Sequence, residues 1–210
     1  MSNIPLSGLT YPNRGARVLL LGLEDLLGHH GLVALLKFAT LEHWMVNLPP
    51  DSLDREVDFS QLTALTQGLL ALYGLRSGSG LARQAVRSTF VEAWENQGAL
   101  AGFQDPQFKE LPMERRLEIG AMGATKVFNE LCDFGVYFHG GPEGASFEFA
   151  NCPYCIDVHA DSPICGGSVG WVEGLLTLIE LQDDYSVKET SCSAVGGRCC
   201  TFLVTPHRVE

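Results

Sequence analysis

Apolar residues recur at helical spacing through the first half of the chain and beyond. Leucine, alanine and aromatic side chains stand three or four positions apart, which is typical of helices that bury one face. Asp58 or Ser60 can cap the third helix, and Gly74 is its expected end. The predicted helices are residues 16–27, 30–46, 62–73, 81–96 and 113–134. The pattern therefore predicts a helical part over residues 16–135, with an N-terminal arm at residues 1–15.

The period of the apolar residues changes from that of a helix to that of a strand after Gly135. The segments VYFH and ASFEFANC predict a β-hairpin around a GGPEG turn. In its second strand, Phe147 and Phe149 should face one side and Glu148 the other.

A helix and two further strands are predicted to follow this hairpin. The helix is GGSVGWVEGLLTLIEL, and the strands DDYSVKET and RCCTFLVTP pair through an SAVGG turn. The predicted fold class is α+β, a helical N-terminal half followed by a β-β-α-β-β antiparallel sheet covered by helices. A chain of 210 residues is long enough for one such domain, over residues 16–210, with its α+β part at 136–206.

Small and aromatic residues share the apolar side of the fourth predicted helix. Such a surface leaves space beside the rings and is compatible with a pocket wall, although a packed core explains the same pattern. We predict a ligand-binding wall of Phe90, Trp94, Phe128 and Trp171. The segment LRSGSGLARQ lacks the lysine of a P-loop, so it is predicted to be a joint between helices.

The charge balance is acidic, with 14 Lys and Arg against 25 Asp and Glu and a formal net charge of -11. Without a basic run, the chain has no electrostatic footprint for nucleic acid. The N-terminus lacks a leader pattern, and Glu24 and Asp25 interrupt the most apolar stretch. We therefore expect a cytoplasmic protein without a membrane span.

Six of the seven cysteines lie in the last third of the chain. They are Cys152, Cys155, Cys165, Cys192, Cys199 and Cys200. In a reducing compartment, closely spaced thiols bind metal more often than they form disulfides. Cys132, alone on the apolar side of a helix, is predicted to be a buried structural thiol.

Four side chains can converge on one ion. Cys192 and Cys200 flank a glycine turn, Cys165 precedes a helix, and Glu189 reaches the same point if its strand bends near Thr190 or Ser191. Three thiolates and one carboxylate suit zinc, and a closed four-ligand shell is structural. We predict Cys165, Glu189, Cys192 and Cys200 as metal ligands.

The pair Cys152 and Cys155 forms a CxxC half-site that competes with this set. Six cysteines exceed the capacity of one zinc ion, so the alternatives are a second metal, a redox pair or an iron–sulfur cluster. Cys199 should face the opposite side of its strand from Cys200 and is the weakest candidate ligand.

These residues resemble the 4-vinyl reductase domain family. The matching elements are the strand FEFANCP, Cys165 before a glycine-rich helix, and Glu189-x-x-Cys192 followed by a glycine turn and Cys200-x-Phe202. The resemblance implies a fold similar to that of trafficking-complex subunits, binding of small hydrophobic molecules, and zinc at the four predicted ligands. The CPYC pair is additional to that set.

The favoured function is a metal-stapled, sensor-type module that binds a hydrophobic or aromatic small molecule. No acid–base constellation or nucleotide fingerprint is visible, which argues against an enzyme. The alternatives are an iron–sulfur or thiol redox sensor and a reductase or accessory protein of tetrapyrrole metabolism, the latter implied by the family name alone. Because the chain shows no output region, we expect a homodimer.

Overall fold

The computed structural model describes residues 5–141 and 144–207, and this part of the chain contains seven α-helices and six strands. In chain order they are β1 (Thr10–Tyr11), α1 (Asn13–Phe38), α2 (His43–Val46), β2 (Val57–Asp58), α3 (Phe59–Tyr73), α4 (Leu75–Trp94), α5 (Pro106–Lys109), α6 (Met113–Leu131), β3 (Val136–Gly141), β4 (Gly144–Phe149), α7 (Gly166–Leu178), β5 (Tyr185–Ser191) and β6 (Cys200–Pro206). Residues 1–4 of the predicted arm, and Pro142 and Glu143 of the predicted GGPEG turn, lie outside the described residues.

Helix α1 is longer than the sequence predicts because it continues beyond Gly28. That glycine has φ 69° and ψ 165°, so the helix is kinked there rather than ended. The second predicted helix, 30–46, is correspondingly shorter. It stops at Phe38, and Thr40, with φ 56°, redirects the chain before α2.

Helix α1 is long and apolar enough to cross a membrane by these two measures alone. The kink at Gly28 divides it into two pieces, whereas a spanning helix needs about 20 continuous residues. Leu20 and Leu23 on its first piece have no exposed surface. These observations favour a place for α1 in the core of the domain.

Asp58 ties the start of the chain to the start of α3. Its carboxylate accepts hydrogen bonds from the backbone N–H groups of Ser7 (3.0 Å), Gly8 (2.9 Å) and Ser60 (2.8 Å). The Gln61 side chain accepts one from the Asp58 N–H (3.0 Å), which completes a capping box. The predicted cap is therefore confirmed, and it also anchors the described part of the N-terminal arm.

Replacing Asp58 with alanine is expected to lower the free energy of unfolding by about 2 kcal/mol, because the cap and the anchor are lost together. Burial opposes ionisation of Asp58, but hydrogen bonds from Ser7 and Ser60 outweigh it and lower the pKa of the carboxyl to about 2. A lowered folded-state pKa stabilises the protein above about pH 4, and this stability is lost as the pH falls towards about 2.

Urea titrations of both proteins at several pH values test this expectation. The difference between wild type and Asp58→Ala should shrink as the pH falls from about 5 to about 2. Asp183→Ala removes an exposed carboxylate and serves as the matched control. A pH-independent difference would show that the carboxylate charge is not responsible.

The four longer strands form one antiparallel sheet in the order β3-β4-β6-β5. In β4, Phe147 and Phe149 are buried and Glu148 is not, as the alternating pattern predicts. The buried face packs on α7, where the Trp171 ring lies 5.9 Å from that of Phe147 and 5.3 Å from that of Phe149. Because six of the seven described helices precede this sheet in the chain, the predicted α+β fold class is confirmed.

Helices α4 and α7 pack against each other through glycines. A Cβ atom on Gly166 would overlap Ser79, and one on Gly170 or Gly174 would overlap Arg83 or Phe90. The joint predicted at LRSGSGLARQ is wrong, because α4 begins at Leu75 and this segment is helical. Of its two glycines, Gly78 allows close approach rather than a turn, since a Cβ there would lie 2.5 Å from the Leu69 carbonyl oxygen.

Candidate metal centre

Five cysteines and one glutamate meet at the edge of the sheet where β6 begins. Cys165 is the N-cap of α7, Cys200 is the first residue of β6, and Cys192 directly follows β5. Cys152 and Cys155 belong to the loop between β4 and α7. The positive end of α7 therefore faces a group of potential anions, an arrangement that favours their ionised forms.

The sulfur atoms lie at the spacing of ligands to a single ion. Cys165 Sγ is 3.4 Å from Cys152 Sγ, 3.5 Å from Cys192 Sγ and 3.7 Å from Cys200 Sγ. Cys155 Sγ is 3.4 Å from Cys200 Sγ. Because tetrahedral zinc binds sulfur at about 2.3 Å, its thiolate ligands are about 3.8 Å apart. All seven cysteines are unbridged, so the cluster is available to a metal.

Two groups of four side chains can each hold one ion, and the ligand atoms of each group lie within 4.8 Å of one another. One is the predicted set, Cys165, Glu189, Cys192 and Cys200. The other is Cys152, Cys155, Cys165 and Cys200, which includes the predicted alternative ligands. The structure thus brings together every residue that the sequence singled out for this role.

A bend in β5 brings Glu189 to the cluster. The pairing of β5 with β6 shifts register between Glu189 and Ser191, which is the irregularity that a ligand role for Glu189 requires at this point. Glu189 Oε2 accepts a hydrogen bond from Cys165 N (3.2 Å). Its Oε1 is buried without a hydrogen-bond partner among the described residues. A buried carboxylate oxygen costs free energy unless it is paired, so a cation at this position fits the site.

The loop that carries Cys152 and Cys155 is anchored from two sides. Thr63 on α3 donates a hydrogen bond to the Pro153 carbonyl (2.8 Å) and accepts one from Ile156 N (3.1 Å). The ring of Tyr154 packs on Gly167 so closely that a Cβ there would lie 2.6 Å from it. Thr63 was missed by sequence reasoning, because nothing in the sequence links it to a loop ninety residues away.

Hydrogen bonds between the thiols shift their pKa values in opposite directions. Those with Cys155 and Cys165 lower the pKa of Cys192 to about 6, and those with Cys152 and its neighbours hold the pKa of Cys200 below its usual range. Burial, with the nearby charge of Cys192, raises the pKa of Glu189 to about 8. Burial raises the pKa of Cys152, and hydrogen bonds within the cluster raise the pKa values of Cys155 and Cys165. Cys192 and Cys200 therefore favour the thiolate form, whereas metal binding by the other three thiols must release their protons.

The two remaining cysteines lie outside both groups. Cys199 is partly exposed, and its Sγ lies 3.6 Å from Thr201 Oγ1. Cys132 is buried, donates a hydrogen bond to the Phe128 carbonyl (3.0 Å), and has its pKa raised by burial to about 12. It is buried, as the sequence predicts for a structural thiol.

The four predicted ligand-binding residues form a packed aromatic cluster. The Phe128 ring lies 5.9 Å from Phe90, 5.0 Å from Trp94 and 4.7 Å from Trp171. Each of the four side chains is at most 2% exposed. Their apolar surface is thus covered by one another, and the ligand-binding role assigned to them stays a prediction.

An apolar groove of about 680 Å³ lies between α6 and the far end of the sheet. Its lining is mainly apolar and includes Met113, Leu117, Phe138, Ala145 and Tyr185, with Glu114 and Glu118 as charged members. Its volume is in the range of small-molecule sites. Sequence reasoning missed these residues because they come from α6 and three strands, and no local pattern joins them.

A comparison with solved structures places this arrangement among known folds. The fold is similar to that of an H-NOX protein. A crystal structure of an H-NOX protein from S. oneidensis in the Fe(II)NO ligation state matches with a TM-score of 0.51 and 12% sequence identity. The match covers 91% of this chain and 99% of that one. At this identity the similarity establishes the fold alone. No family model matches the sequence, and no curated protein does so either.

Proposed function

We propose that this chain is a sensor-type module that binds a hydrophobic or aromatic small molecule. In this proposal a zinc ion bound by the cysteine cluster joins the β5–β6 pair to the start of α7, a structural role that we call the zinc staple. One observation carries the proposal: the strands β5 and β6 connect the cysteine cluster to the apolar groove. Strand β5 runs from one to the other, since Tyr185 lines the groove and Glu189 belongs to the cluster. In β6, Cys200 lies in the cluster and Pro206 lines the groove.

A metal in the cluster would fix the register of these two strands and thereby the shape of the groove. Zinc suits the site because thiolates and one carboxylate are ligands that it binds in closed four-coordinate shells. A thiolate-bound iron centre is the alternative. The close approach of the sulfurs favours ions bound directly by shared thiolates over a cubane iron–sulfur cluster, in which each thiolate binds a different iron atom and the sulfurs lie farther apart.

The H-NOX similarity supports a small-molecule role, since that protein carries Fe(II)NO in a related fold. The resemblance of the sequence to the 4-vinyl reductase domain family supports the same proposal. A homodimer and a cytoplasmic location stay predictions of the sequence.

Elemental analysis and an absorption spectrum of anaerobically purified protein test the metal. Zinc in a colourless protein is the expected result, and strong visible absorption with bound iron would favour the redox alternative instead.

A ligand that binds in the groove is expected to raise the melting temperature of the protein. A compound present at about 100 times its Kd should add about 2.7 kcal/mol to the free energy of unfolding and raise Tm by about 5–10 °C. Differential scanning calorimetry with a panel of phenols, aromatic hydrocarbons and fatty acids measures this rise. Absence of a shift with every compound would contradict the ligand part of the proposal.

The variant Gly140→Trp is expected to abolish that rise by filling the groove. Gly140 lines the groove, and its Cβ would meet only the Phe138 ring at 3.6 Å, so a larger side chain fits on that face without a clash at Cβ. His139→Trp places the same side chain on the opposite face of β3 and should leave the rise intact.

A further inference from the structure

The cysteine cluster contains more ligands than one tetrahedral ion can use. The two groups of four share Cys165 and Cys200, so together they comprise six donors. Two four-coordinate ions offer eight positions, and six donors fill eight positions if two of them bind both ions. The six donors of the two groups therefore match the requirement of two ions that share two bridging ligands.

We propose that the cluster holds two metal ions, bridged by the thiolates of Cys165 and Cys200. Cys152 and Cys155 complete the coordination of the first ion, and Glu189 and Cys192 complete that of the second. This inference rests on the proposed zinc staple and extends it to a dinuclear centre.

The positions of the sulfur atoms support the bridge. Two tetrahedra that share an edge place the two bridging atoms at an ordinary ligand–ligand distance, about 3.8 Å for zinc and sulfur. Cys165 Sγ and Cys200 Sγ are 3.7 Å apart. Cys165 Sγ is also close to one proposed terminal thiol of each ion, Cys152 at 3.4 Å and Cys192 at 3.5 Å. A thiolate has enough lone pairs to bind both neighbouring ions.

A single ion would leave part of the cluster unsatisfied. If it took the group with four cysteines, Glu189 Oε1 would stay buried without a partner. If it took the other group, the thiols of Cys152 and Cys155 would be hydrogen-bonded to bound sulfurs at 3.4 Å, and two potential ligands would be left without metal. Two divalent ions (4+) against six anionic ligands (6−) leave a charge of 2−. The N–H groups of Cys165 and Ser193, which donate to Glu189 and to Cys200 Sγ, oppose that charge.

The first ion would lie next to the protein surface. A surface recess of about 500 Å³ is bordered by Cys152, Cys155, His159, Ser193 and Arg198. Both terminal ligands of the first ion thus border the same opening. Both cysteines are 2% exposed, so they form the floor of this recess.

Cobalt(II) titration of the reduced, metal-free full chain tests the proposal. The expected result is two cobalt ions per chain by elemental analysis. The electron paramagnetic resonance signal should grow with the first equivalent and decrease with the second, because bridging thiolates couple the two spins. Two ions with additive signals would overturn the bridge. One ion per chain would overturn the dinuclear centre while leaving the zinc staple intact, and no bound ion would overturn both.

Variants assign the ions to their ligands. The double variant Cys152→Ala/Cys155→Ala should bind one cobalt ion, whose signal does not decrease at excess metal. Glu189→Gln/Cys192→Ala should also bind one ion, with the absorption of a four-thiolate site. Cys199→Ser, next to Cys200 but outside both groups, should still bind two. A double variant at Cys152 and Cys155 that keeps two coupled ions would overturn the assignment.

Discussion

Removal of the metal from the purified protein is expected to lower its Tm by about 10–20 °C, a loss of about 5 kcal/mol in the free energy of unfolding. An ion in the cluster would join three parts of the fold: the loop at 150–164, the start of α7, and the β5–β6 pair. Without it, the buried thiolates repel one another or must take up protons. Thermal unfolding followed by circular dichroism, before and after treatment with a strong chelator under reducing conditions, measures the difference.

Neighbouring cysteines offer a matched pair of variants for this measurement. Cys200→Ser removes a ligand that both groups share, so its Tm should be low with or without the chelator. Cys199→Ser should behave as wild type, and added zinc should restore the Tm of both wild type and this variant. An unchanged melting curve after verified loss of metal would contradict the structural role of the cluster.

Local signals in the sequence are enough to predict much of this fold. The alternation of Phe147, Glu148 and Phe149 indicates a strand with one buried face. Asp58 with Gln61 indicates the start of a helix, because these side chains form hydrogen bonds with neighbouring backbone groups. The convergence of Cys165, Cys192 and Cys200 is also predictable, because a short turn and a helix start limit where these thiols can go.

Features that depend on contacts distant in the sequence were not predictable in the same way. The CPYC loop reaches the cluster because Thr63 and Gly167 position it, and neither residue has a local signature of that role. Glycine is ambiguous for a similar reason. Gly78 in α4 resembles a loop residue in the sequence, whereas its lack of a side chain serves the approach of another helix.

The aromatic residues also show that the sequence does not determine how distant side chains pack. Phe90, Trp94, Phe128 and Trp171 come from three helices, and packing decides whether their rings enclose space or fill it. The groove arises instead where α6 meets the strand ends. Its walls come from residues whose common location depends on the sheet order β3-β4-β6-β5.

The close packing of α4 on α7 leads to a second large expected effect. Gly170→Ala should lower the free energy of unfolding by about 3 kcal/mol, despite the higher helix propensity of alanine. The new Cβ would lie 3.0 Å from Arg83 Cα and still closer to the Arg83 carbonyl oxygen. Backbone atoms cannot rotate away as a side chain can, so the two helices must separate. Their separation would also strain the Arg83–Glu173 ion pair that joins them.

Gly80→Ala provides the control for this substitution. Gly80 lies in α4, is exposed, and has no atom within 4 Å of the position that a Cβ would take. The same chemical change should therefore raise the free energy of unfolding by up to about 1 kcal/mol, through helix propensity alone. Urea unfolding of the two variants at one pH compares them directly. Equal effects of the two substitutions would contradict the glycine-mediated contact, because helix propensity alone would then account for the change at both positions.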